Sequence, residues 1–151
     1  MPVIDRDLGW GDMKTRLKKL KGAHTKVGVQ DGGKRKSGRS NVVIGIAHEF
    51  GTPSIPSRSF LRSTYEENLP QAKRLLAAEY PLILEGKRTA EESLGLVGAW
   101  FQGKVQNKIR SGIAPELSDA TKAKRIKGGG KTIPLWDTGQ LINSIRHVEK
   151  V

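Results

Sequence analysis

The sequence predicts an α+β fold in a single domain, with two long central helices, an N-terminal amphipathic helix and a small antiparallel sheet. Three observations carry this. Two stretches, near 60–76 and 89–109, place apolar residues at spacings of three and four. A short segment from Thr25 to Gln30 alternates with period two. The chain has 151 residues, of which 36% are hydrophobic, enough for one lean core and little more.

Residues 5–21 read as the amphipathic helix. Trp10, Met13, Leu17 and Leu20 share one face and the lysines take the other. Asp5 and Asp7 sit near the start, where the helix dipole favours acids, and Gly22 is a natural stop. The strand at 25–30 follows. Residues 31–40 form a basic loop with no apolar residue to bury, expected to be mobile. Asn41 is positioned to cap what comes next. Residues 42–50 are compactly apolar, and periodicity alone does not decide between a helix and a buried strand. Gly51 ends them, and Pro53 and Pro56 fix an extended passage.

Phe60, Leu61, Tyr65, Leu69, Ala72 and Leu76 then mark a helix face. Pro70 is expected to kink or split that helix, and Pro81 to lie beyond its end. Thr89 and Glu92 fit a capping box that opens the second long helix. Its face is Leu94, Val97, Phe101, Val105 and Ile109, and Gly112 fits its C-terminal stop. Gly95, Gly98 and Gly103 each cost this helix about 1 kcal/mol relative to alanine. They imply close approach by a neighbour. Residues 113–134 read as a flexible loop with at most one short helix, near 118–126. Residues 137–145 begin a short helix capped by Asp137 or Thr138, and the tail from 143 onward reads as a strand.

Charge is the strongest compositional signal. The formal net charge is +12. Between 14 and 39 stand ten basic groups against the single acid Asp31. A second run holds Lys122, Lys124, Arg125, Lys127 and Lys131. Such an excess attracts polyanions, nucleic acid first among them. The candidate contacts are Lys18, Lys19, Lys34, Arg35, Lys36 and Arg39. No helix-turn-helix, zinc-finger or RNA-recognition signature accompanies them, so contact is expected with phosphates rather than base edges. Cysteine is absent, and no apolar run approaches the roughly 20 residues of a membrane span. The N-terminus has no signal-peptide core. The expectation is a soluble, non-secreted protein without a membrane partner.

Catalytic patterns fail on spacing. Gly130-Lys131-Thr132 resembles the end of a phosphate-binding loop, but Arg125 stands where the first glycine is needed and Pro134 opposes the following helix. His48-Glu49 begins a zinc-protease pattern whose second histidine is replaced by Thr52. These two residues are read instead as bracing the turn at Gly51. No nucleophile elbow occurs. Neither an enzyme nor a cofactor is expected.

Two phrases stand out. The first is Ala47-His48-Glu49-Phe50-Gly51-Thr52-Pro53-Ser54-Ile55-Pro56-Ser57-Arg58-Ser59-Phe60-Leu61, and the second is Leu135-Trp136-Asp137-Thr138-Gly139-Gln140-Leu141 with Ser144-Ile145. Pro115-Glu116-Leu117-Ser118 and Lys122 stand between them. In this order they resemble the tail-completion and virion-morphogenesis proteins of tailed phages, the minor tail protein Z-like families, over roughly residues 42–147. The departures are the Lys/Arg-rich loop at 34–39 and the basic N-terminal helix. The resemblance implies a non-enzymatic virion protein of the phage neck, assembled in the host cytoplasm. It further implies a homo-oligomeric ring, usually six-fold, around genomic double-stranded DNA. The expected neighbours are a head-completion or connector protein on one side and tail terminator or tail tube proteins on the other. Phe50, Arg58, Phe60 and Asp137 are then the structural or inter-subunit candidates, and Arg58→Ala is expected to harm assembly more than subunit folding. The alternative is a free nucleic-acid-binding protein without sequence preference.

Overall fold

The computed structural model describes residues 9–30, 38 and 40–151. The start of the first predicted helix, with Asp5 and Asp7, and nearly all of the basic loop, with Lys34, Arg35, Lys36 and Arg39, lie outside the described residues. Within them the order is α1 (Trp10–Leu20), β1 (His24–Val29), α2 (Asn41–Phe50), α3 (Arg62–Leu84), α4 (Ala90–Arg110), α5 (Asp119–Lys127), α6 (Gln140–Asn143) and β2 (Ile145–Lys150). The strands pair antiparallel, so the predicted α+β class describes the fold.

The undecided segment at 42–50 is helical. Its cap is Ser40, whose Oγ accepts from the Val43 amide, rather than Asn41, which is the buried first residue of α2. The long helix α3 runs through Pro70 and includes Pro81, where the sequence places Pro81 outside. Pro70 and Pro81 are exposed, as are Glu66 and Ala77 four residues before them. The carbonyls that lose an amide partner therefore face water, and the helix survives. Arg16 ties α1 to the far end of α3. Its Nη1 donates to the Leu84 carbonyl at 2.8 Å, and its guanidinium lies over Gly86. Glu79 closes the α3–α4 hairpin by accepting from Arg88 at 2.6 Å and from Ser93 Oγ at 2.8 Å. The capping box at Thr89 and Glu92 is present in full.

The sheet lies on α4. Thr25, Val27, Val29, Ile145, His147 and Glu149 alternate onto its inner face. A Cβ at Gly98 would stand 2.5 Å from Thr25 Oγ1 and 2.9 Å from His147 Cδ2, so this glycine lets helix and sheet meet. Gly103 has nothing within 4 Å of that position. The two therefore part in their expected effects. Gly98→Ala should lower stability by about 1–3 kcal/mol through overpacking. Gly103→Ala should raise it by about 0.5–1 kcal/mol through helix propensity. Urea melts of the two variants measure both, and a stabilising Gly98→Ala would overturn the packing argument.

One buried cluster unites the elements: Phe60, Val105, Ile109, Leu135, Leu141, Ile142 and Ile145. Each such side chain contributes about 1.5–3 kcal/mol by leaving water. Phe60 comes from the first phrase and Leu135, Leu141 and Ile145 from the second, with α4 between them in sequence. The two phrases thus meet in the core.

Candidate functional site

The first phrase folds back on α2. Thr52 and Ile55 bond each other across a tight turn with Pro53 in its second position. Gly51 holds a φ of 79°, and a Cβ there would stand 3.0 Å from the Ser57 amide. The returning chain then supplies donors to the end of α2. The Arg58 amide donates to the His48 carbonyl at 2.6 Å, and Ser57 Oγ donates to the Glu49 carbonyl at 3.0 Å. Carbonyls that a helix end leaves without partners are satisfied by the phrase itself.

Glu49 is the centre of this arrangement. It is 6% exposed, and its carboxylate accepts from four donors. These are Ser59 Oγ at 2.6 Å, the Phe60 amide at 2.8 Å, the Leu61 amide at 2.9 Å and the Arg62 amide at 3.0 Å. The residue before α3 is Leu61, whose side chain cannot cap. A carboxylate from the preceding helix caps α3 instead, at the positive end of its dipole. Burial alone would raise the Glu49 carboxyl's pKa. The bonds from Ser59, Leu61, Arg62 and Phe60 outweigh burial and hold it below the ordinary value. The Glu49 carboxylate therefore braces the start of α3, while its carbonyl, with that of His48, holds the turn at Gly51.

Arg58 is 4% exposed. Its Nε donates to the Pro115 carbonyl at 2.6 Å and its Nη2 to the Glu116 carbonyl at 3.0 Å. This pins the segment after α4 to the first phrase, using the guanidinium's planar fork. Burial, with Arg125 nearby, lowers its pKa from the usual arginine value. Arg58 and the fully buried Phe60 face the subunit's interior. Arg58 therefore also serves the subunit's own fold, beside the expectation that Arg58→Ala harms assembly more than folding.

The second phrase is organised by Arg125. Its Nη1 donates to the carbonyls of Lys131, Ile133 and Trp136, at 3.1, 2.9 and 3.4 Å. Pro134 and then Leu135, with a φ of 64°, turn the chain between Ile133 and Trp136. A left-handed leucine is strained, and its burial in the core offsets that. Asp137 caps no helix, because α6 starts only at Gln140 after Gly139, with φ 82°. Its carboxylate instead faces Arg125 Nε at 3.9 Å and lies where a side chain on Gly130 would stand.

His48, Arg125 and Asp137 line one small cavity of about 50 Å³ at the junction of the two phrases. Glu49 lines a different, apolar groove, and its carboxylate is occupied by its four donors. Among the described residues no three His, Asp or Glu side chains gather as metal ligands. No described helix is long and apolar enough to cross a membrane. Phe50 is 72% exposed, and with Val43 and Ile46 it leaves the outer face of α2 apolar and open beside that groove. Lys18 and Lys19 are exposed in the last turn of α1.

Two residues with the most bonding partners are not recognisable as such from sequence. Arg125 stands there as a mismatch in a phosphate loop and as one cation of a basic run. Glu49 stands there as half of a failed zinc pattern. The available signal for Glu49 is a long helix starting without a capping residue of its own. Comparisons of the chain with models of protein families, with curated proteins and with solved structures gave no match.

Proposed function

We propose that this chain is a structural virion protein of a tailed phage, forming a ring in the head–tail neck around the DNA channel. The observation that carries the reading is the ordered pair of phrases. Their polar groups are spent on architecture: Glu49 caps α3, Arg58 pins the segment at 115–116, and Asp137 faces Arg125 of α5, which shapes the turn at 130–137. A subunit of an assembly needs such stiff corners and needs no reaction centre. The open face of Val43, Ile46 and Phe50 supports the reading too. A neighbouring copy in a ring would cover it, and ring formation buries apolar surface that a lean core leaves outside.

Mass spectrometry and image reconstruction of the assembled particles test this. The expected result is this chain as a ring at the neck. Its absence from finished particles would overturn the proposal. Phe50→Lys adds a direct check. The subunit should melt within about 2 °C of wild type, because exposed positions contribute little to folding. Incorporation into particles should be lost. Full incorporation of this variant would remove α2 from the interface.

A further inference from the structure

We infer that the outer face of the β1–β2 ribbon binds the phosphate backbone of duplex nucleic acid. The inference deepens the ring reading, in which that duplex is the genome in the channel. The register sets Lys26 opposite Val148, His24 opposite Lys150 and Gly28 opposite Arg146, so these six share one face. Lys26 is diagonal to both Arg146 and Lys150, about 7–8 Å from each on a regular ribbon. All three cations are exposed.

No described acid neutralises them. Among the described residues the ion pairs are Lys87–Glu85, Arg88–Glu79, Lys108–Glu67, Lys122–Glu116 and Arg125–Asp137, and none reaches this face. The ribbon's one acid, Glu149, alternates to the inner side, near Gly95 of α4. Like charges this close on a sheet repel unless a counter-charge is supplied. The only apolar side chain among the six is Val148. Protein interfaces want an apolar centre, and membrane-lying faces want aromatic or aliphatic anchors. A cationic face with one valine suits phosphates instead. Three residues connect α1 to β1, which keeps Lys21 within about 11 Å of His24 and extends the charge beyond the ribbon.

The test is fluorescence anisotropy of the full chain with a labelled 20-base-pair duplex of mixed sequence, titrated from low to moderate salt. The triple variant Lys26→Gln, Arg146→Gln, Lys150→Gln should bind about tenfold or more weakly. Its log–log salt slope should be shallower by about 2–3, near 0.9 for each phosphate that the variant no longer neutralises. Lys73→Gln, Arg74→Gln, Arg110→Gln removes the same charge at exposed positions outside both basic runs and should leave the slope near wild type. A melt by circular dichroism checks that both variants are folded. Equal weakening in the two triples would reduce the effect to net charge and overturn the assignment. So would no duplex binding at low salt, or displacement of the duplex by polyglutamate or phosphatidylserine vesicles at matched charge. Incorporation into particles is read separately. A ring that assembles while the ribbon variant binds like wild type would sink this inference and leave the ring reading standing.

Discussion

Glu49→Gln should destabilise the protein by about 3 kcal/mol, seen as a melting temperature lower by about 6–12 °C. The wild-type carboxylate receives one hydroxyl and three backbone amides at the start of α3. A glutamine offers one acceptor oxygen to those donors and turns an amide NH2 toward the rest. It also removes the negative charge from the helix's positive end. The effect depends on pH in a definite direction. The folded carboxyl's pKa lies below its ordinary value. Its stabilisation is therefore complete above the unfolded carboxylate value, about pH 4.3, and is lost as pH falls through the lower folded value. The gap between wild type and variant should be widest at neutral pH and should narrow as pH drops below about 4. Glu66→Gln, at an exposed position of α3, is the control and should melt like wild type. A pH-independent gap would remove the charged cap from the explanation.

Arg58→Met should cost a similar amount, about 3 kcal/mol. Methionine fills much of the side-chain volume but leaves the Pro115 and Glu116 carbonyls without their donors. The loss should be local before it is global. Limited proteolysis should cut residues 112–118 faster than in wild type, and the melting temperature should fall by about 6–12 °C. Arg58→Lys should recover only part of the stability, because an ammonium lacks the planar fork that serves two carbonyls at once. A methionine variant that melts and resists protease like wild type would return Arg58 to an assembly role alone.

Much of the fold was legible because it rests on local rules. The α4 capping box, the face from Leu94 to Ile109, the short helix near 118–126 and the two strands follow from spacing and cap chemistry. The errors share a cause. Pro81 stays inside α3 because its side of the helix faces solvent, and sequence does not say which side that is. Asn41 and Asp137 have the chemistry of caps but not the backbone position. Ser40 stands one residue earlier, and Gly139 delays α6. Gly98 and Gly103 look alike in sequence, yet only Gly98 has a sheet against it.

The candidate site divides in the same way. The two phrases, with their glycines, prolines and apolar anchors, were visible in the chain itself, as was the excess of positive charge. Their partners were not. Glu49 finds its donors ten to thirteen residues on, Arg58 reaches 57 and 58 residues, and Lys26 meets Arg146 and Lys150 only through strand pairing. Apart from residues 42–50, whose helix the periodicity left open, sequence alone determined the elements and their order, because caps, turns and periodicity act over a few residues. Only the tertiary structure decided which carboxylate caps α3, which cation pins the loop and which charges share a face. Those outcomes depend on contacts between residues that lie far apart in the chain and come together only on folding.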